Sequence, residues 1–236
     1  MHPDTMRLID RWVGIPLCFF ASFWPLKKAQ ADSNSTLATN IPPPDTIVFI
    51  LIAEIGALVV AYPAIKETRK QHPKSRICFI TAPAGLQTLE LMGFEKEDIF
   101  LLETSSIKSL LKGIVNIRSH FKGRRVSAIV LEPFTRFSTL LSVWIGASKR
   151  IGCYRFLNEG VYLGNILTHR LVYNPHLHMS QTYFALAKAL IEPDSAKPLL
   201  KEYIPSQIKN RLKINIPEKE RQTLMKRLQS ECPETL

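Results

Sequence analysis

Glu54 stands alone between a continuous apolar run and a helix-forming stretch, at the point where a buried strand passes to a helix. In open α/β folds ligands bind beyond the carboxyl ends of the strands, so a carboxylate in that place is set to act on a bound molecule. The position also suits a helix cap near the positive end of the dipole, and the residues alone leave both readings open. Glu132 ends a second buried run beside Pro133, with Arg136 four residues on, and Arg155 follows a third run. Arginine pairs with phosphate or carboxylate through two parallel bonds. Arg136 and Arg155 therefore fit an anionic ligand or, equally, an ion pair with Glu132 or Glu159. Asn158 and Glu159 precede Gly160 in a loop and suit ligand hydroxyls or simply turn formation. His176 and His178 lie two apart before a helix. A metal would need further ligands that the spacing does not supply, so capping or an interdomain contact is the expectation. His169-Arg170, at a strand-like end, is a weaker candidate of the same kind.

The elements that would carry these residues alternate. Residues 47–52 form a β-branched, aromatic run of the type buried on both faces of a sheet. A helix follows to about residue 70, with Pro63 inside it as an expected kink. Strands are predicted at 76–81, 99–102, 126–131 and 150–154. Helices are predicted at 86–92, 106–121, 137–145 and 179–191, with Ile107, Leu110, Leu111, Ile114 and Ile117 at core spacing in the second of these. Strand alternating with helix implies a doubly wound, mostly parallel Rossmann-like sheet of five or six strands over residues 45–191.

A formal charge of +11 points to an anionic partner, while 46% apolar content is ample for a core. The basic residues are scattered and carry no zinc-finger, helix-turn-helix or RNA-binding signature, so nucleic acid is not expected. Cys18, Cys78, Cys153 and Cys232 share no metal or redox spacing and fit a reducing compartment. No P-loop or G-x-G-x-x-G occurs, and no glycine follows Gly164 to cradle a diphosphate at a helix N-terminus.

Residues 12–26 are uncharged, with Gly14 and Pro16 inside, basic residues at both ends and Trp12 and Trp24 near the limits. The run is too short for a span, which needs about 20 apolar residues. It reads as a membrane-interface segment at a cytoplasmic surface. A signal peptide with Ala29-Gln30-Ala31 as its cleavage site and a packed soluble helix are the alternatives. The expected organisation is an interfacial segment over 1–30, a polar Pro-ended linker over 31–44, the α/β domain over 45–191, and a basic, glycine-free tail over 192–236.

The blocks A-E-I-G-A-L-V-V-A-Y-P-A-I, H-P-K-S-R-I-C-F-I-T, L-E-P-F-T-R-F-S and R-I-G-C-Y-R-F resemble the N-terminal half of family 9 glycosyltransferases, the ADP-heptose:lipopolysaccharide heptosyltransferase-like enzymes. N-E-G-V-Y-L-G-N-I-L-T-H-R and N-P-H-L-H-M-S-Q look like a branch of that family with an apolar N-terminal segment. The resemblance covers about residues 47–191. It implies a GT-B architecture, with acceptor bound by the first Rossmann-like domain and nucleotide-sugar by the second. It also implies inverting transfer without a metal or other cofactor, from a donor such as ADP-heptose, at the cytoplasmic face of the inner membrane. Glu54 is then the base and Glu132 the second candidate. Gly56, Arg136, Arg155, Asn158, Glu159 and His178 are the substrate-binding candidates, and the acceptor is an anionic glycolipid or sugar. Two positions depart from the family pattern: Ala57 stands where an aspartate commonly follows the first-loop glycine, and Leu51 stands in place of a first-strand lysine. Residues 192–236 look like an interdomain linker and the lead-in to a donor domain, so the stretch resembles an acceptor half that needs a second domain to react. The alternative is a non-catalytic acceptor-binding or membrane-associated scaffold.

Overall fold

The computed structural model describes residues 10–23, 43–155, 161–192 and 218–231. Its centre is a six-stranded, all-parallel sheet: β1 (Thr46–Ile50), β2 (Arg76–Thr81), β3 (Ile99–Leu101), β4 (Val126–Val130), β5 (Lys149–Arg155) and β6 (His169–Val172), in the order β3-β2-β1-β4-β5-β6. The chain starts in the middle, builds to one edge, then crosses back to build the other. The reversal falls between β1 and β4, the switch point at whose carboxyl edge open α/β sheets place their ligand crevice.

Each strand alternates its side chains between two helical layers. Ile47, Phe49, Ile129 and Ile151 point to one face, which is covered by α2 (Ile55–Gln71), α3 (Leu86–Leu91) and α6 (Met179–Lys188). On that face Phe49 stacks on Phe79 at 5.4 Å, and Phe79 meets Phe94 edge-on. Val48, Ile50, Ala128 and Val130 point to the other face, under α4 (Ile107–Phe121) and α5 (Arg136–Trp144). Double burial explains why β1 and β4 carry no polar alternation beyond small or hydroxyl side chains.

Several expectations are refined. The sheet is all-parallel, and β6 is a full strand where only a strand-like end at His169-Arg170 was legible. The segment leading into it is bonded by Arg150, buried at the start of β5. The Arg150 guanidinium donates to the carbonyls of Ile166 (2.6 Å) and Ala147 (2.5 Å), and so holds the approach to β6. In α4 the capping box of Ser106 and Ser109 sets the start. The core-facing stripe is Leu110, Ile114, Ile117 and Phe121; Ile107 and Leu111 lie on its flank and are exposed. Helix α2 is continuous through Pro63, which is buried.

Two helices lie outside the sandwich. Helix α1 (Gly14–Phe23) packs on α5, and α7 (Glu218–Glu231) has every residue exposed. Among the described residues no helix is long and apolar enough to cross a membrane.

Candidate functional site

The carboxyl edge at the β1/β4 crevice is built around two glutamates with opposite environments. Glu132 follows β4 and is 8% exposed. Its Oε1 accepts from the backbone N–H groups of Ile52 (2.8 Å) and Ala53 (2.6 Å), and its Oε2 accepts from the Ser138 hydroxyl. Both oxygens are thus engaged, and the side chain ties the loop after β1 to the first turn of α5 across 80 residues of sequence. That loop ends in Glu54. Glu54 occupies the N-cap position of α2 in extended backbone, but its side chain makes no capping bond and is exposed. One carboxylate is therefore a fastener and the other is free to meet a ligand.

Tyr183 of α6 lies within electrostatic reach of both glutamates and was not singled out by its sequence context. It is buried. Desolvation raises its hydroxyl above the ordinary tyrosine range, and the Glu54 carboxylate, followed by Cys153, Glu132 and Tyr173, adds to the rise. The hydroxyl accordingly stays protonated near the two carboxylates. Ser138 was equally silent in sequence; its role comes from lying six residues after Glu132, in α5.

The loop after β4 carries a strained residue. Phe134 has φ of 61°, a conformation that bulky side chains rarely adopt, and its ring meets Tyr173 edge-on at 5.4 Å. Contacts on both sides hold this loop in place: Phe134 to Tyr173 past β6, and Glu132 to the loop past β1.

Arg136 does not pair with Glu132. Its Nη1 lies 2.5 Å from Oδ2 of Asp10, and its Nε donates to the Tyr162 carbonyl at 3.2 Å, with the side chain only 10% exposed. The physical reason is direction: Glu132 turns toward the amides of the β1 loop, whereas Arg136 turns outward under α1. Gly56 lies exposed in the first turn of α2, with open space where a Cβ would be. His178 caps α6: its Nδ1 accepts from the Ser180 N–H at 3.2 Å while Gln181 accepts from the His178 N–H at 3.1 Å. His176 belongs to a turn closed by its N–H to the Asn174 side chain. His169 is buried, bonded to Thr168 and to the Glu192 carbonyl. Arg155 ends β5, with its side chain outside the described set, and Asn158 and Glu159 lie outside the described residues. Among the described residues no group of three His, Cys, Asp or Glu side chains is arranged to hold a metal.

Two of the buried thiols, Cys18 and Cys78, are inert by environment. Burial pushes Cys78 up to about 12 and Cys18 up to about 11, so both stay protonated at neutral pH.

No family model and no curated protein matches the chain. Solved structures do resemble it in fold. A glycosyl transferase family 9 protein from Veillonella parvula DSM 2008 is 17% identical with a TM-score of 0.55, covering 81% of this chain and 51% of that one. The E. coli heptosyltransferase WaaC with ADP is 10% identical, and its form with ADP-2-deoxy-2-fluoro heptose 11% identical. Each has a TM-score of 0.48 over 64% of this chain, covering 49% and 50% of the two structures respectively. The 236-residue chain thus spans about half the length of the structures it matches.

Proposed function

We propose that residues 45–191 are the acceptor-binding half of an inverting, heptosyltransferase-like GT-B glycosyltransferase. It would extend a lipopolysaccharide-like or other lipid-linked glycan at the cytoplasmic face of the inner membrane. The observation that carries this reading is the free Glu54 carboxylate, held at the β1/β4 crevice by a loop that Glu132 fastens. It is supported by the family 9 fold likeness and by the basic charge suited to an anionic acceptor.

In this reading Glu54 takes the proton of an acceptor hydroxyl as that oxygen bonds to the anomeric carbon of the donor sugar. The bond from that carbon to the nucleotide diphosphate breaks, the diphosphate leaves with the electron pair, and the configuration inverts. Glu132 and Ser138 act through the loop rather than on substrate. To supply the wall that holds the nucleotide-sugar and stabilises the departing charge is the task of a donor-binding domain. Without that wall the positioning contribution, which reaches about 7–11 kcal/mol, is missing.

The test is reconstitution. The purified chain is mixed with the donor half of a family 9 enzyme, ADP-heptose and a lipid-linked acceptor, and sugar transfer is followed. The expected outcome is no transfer by the chain alone, measurable transfer with both halves, and loss of that transfer in Glu54→Gln. Robust transfer by the isolated chain would place donor binding elsewhere and end this reading.

A further inference from the structure

Helix α1 has two unlike faces. Gly14, Cys18 and Ser22 recur four apart and form a seam against the body. A Cβ on Gly14 would lie 3.0 Å from the Arg136 stem, and one on Gly164 would lie 1.9 Å from Oγ of Ser22. Gly164 has φ of 56°, so both its backbone conformation and the close approach of α1 require glycine. Ser22 is hydrogen-bonded on both sides, donating to the Cys18 carbonyl at 2.7 Å and accepting from the Asn165 N–H at 3.0 Å. Asp10, just before the helix, closes the seam through its pair with Arg136. The opposite face is large, apolar and uncovered: Trp12, Val13, Leu17, Phe19, Phe20 and Phe23 are each between 48% and 73% exposed.

We propose that α1 is a bilayer-docking element clamped to α5 and to the segment leading into β6, with an anionic lipid surface covering its outer face. Charge and length select this occupant. Asp10, the one acid in the described stretch 10–23, is turned inward to Arg136, so the outer face carries no carboxylate. Arg11 is exposed beside Trp12, Lys27 and Lys28 follow in sequence, and the whole chain carries +11. The ten described helical residues span about 15 Å, half of a bilayer core, a length that suits lying in the interface. Aromatic side chains with basic neighbours are what the headgroup region of an acidic leaflet accommodates.

The clamp makes this more than a tether. Arg136 opens α5, four residues past Glu132, and Glu132 holds the amides of Ile52 and Ala53 beside Glu54. Bilayer, α1, α5 and the Glu54 loop are linked by direct contacts, so docking sets the height and tilt of the crevice over the membrane. Only that use of the orientation rests on the glycosyltransferase reading; the docking itself does not.

The experiment uses the full chain with phosphatidylglycerol–phosphatidylcholine vesicles, phosphatidylcholine vesicles and buffer alone. In a Trp24→Phe, Trp144→Phe background, Trp12 emission should shift to the blue and be quenched by brominated lipid with the anionic vesicles. Phe20→Ser/Phe23→Ser should weaken vesicle binding at least about tenfold with unchanged thermal unfolding, because both rings are exposed. For the clamp, a fluorophore on Lys66→Cys, with Cys232→Ser, reports its distance to labelled lipid. The parent should give one narrow distance. Gly164→Leu, with Ser22→Leu as the second wedge should the first not fold, should retain binding and broaden the distribution. Equal vesicle binding by the double serine variant, or a lipid-free dimer that buries Trp12, overturns the docking; an equally broad parent distribution overturns the clamp. No sugar or nucleotide enters this assay, so its failure leaves the glycosyltransferase reading standing, and failed transfer leaves the docking standing.

Discussion

Replacing Glu132 with alanine should cost this domain about 3–4 kcal/mol without touching any proposed reacting atom. The substitution strips one acceptor from three donors at once: the N–H groups of Ile52 and Ala53 and the hydroxyl of Ser138. A buried donor left unpaired costs about 1–3 kcal/mol, and bonds to a charged acceptor stand at the upper end. Ala53 is exposed and Ile52 half-buried, so water recovers part of the loss, as does relief from burying a carboxylate. Hence the total falls well below the sum of three full penalties. With a denaturant slope of about 2 kcal/mol per molar, the urea midpoint should fall by about 1.5–2 M. Glu132→Gln keeps an oxygen for both amides and should lose only about 1–2 kcal/mol; Ser138→Ala should lose about 1 kcal/mol. Urea unfolding followed by circular dichroism measures the cost, and amide exchange at Ile52 and Ala53 locates it. A loss below about 1 kcal/mol in the alanine variant, or unchanged protection of those two amides, would refute the assignment of Glu132 as the fastener of the loop.

Glu54→Gln, by contrast, should leave the unfolding free energy within about 0.5 kcal/mol of the parent, because the exposed side chain makes no capping bond; unfolding curves of the two proteins check this. Stability should drop as pH falls below the ordinary histidine value of 6.5, in part through His72. Burial first, then Lys149, holds that imidazole below its ordinary pKa, and its Nε2 is buried with no hydrogen-bond partner. The unfolded chain then binds the proton more readily, so this contribution is present above 6.5 and lost on acidification. His72→Phe should flatten that part of a midpoint-against-pH series. Asp10→Asn should weaken the docking of α1 by about 1–3 kcal/mol, and adding Arg136→Met should recover part of it, as read by protease cleavage near Trp12. Iodoacetamide should leave Cys18 and Cys78 unlabelled in the native chain and label both on unfolding; early labelling of Cys18 alone would show α1 lifting off.

Much of the frame is local in origin, and that part was legible. Ile47 to Ile50 are apolar without a break, and Val126 to Val130 are broken only by the buried Ser127, because both faces of a central parallel strand are covered, and that constraint is written residue by residue. Ser106 announces the start of α4 because capping acts over a few residues, and Glu54 marks the point where the apolar run gives way to a helical pattern, also a local signal. The resemblance in motif order likewise anticipated the fold later matched at 17% identity.

What only the tertiary structure decided are the pairings across long stretches of chain. Glu132 and Glu54 look alike in sequence, each a carboxylate at the end of a buried run. They differ because the crossover lays β4 beside β1 and brings two amides against one of them. Arg136 had a carboxylate four residues before it, yet pairs with Asp10, 126 residues away, because the nearer acid is turned to the amides of the loop after β1. The apolar run 12–26 reads in sequence as a membrane-interface segment, with a packed helix among the alternatives; that Gly14 and Cys18 face the body while Trp12, Phe20 and Phe23 are exposed came only from the tertiary structure. Periodicity states which residues share a face; it carries no information about what that face meets, because the neighbouring surface is assembled from other parts of the chain.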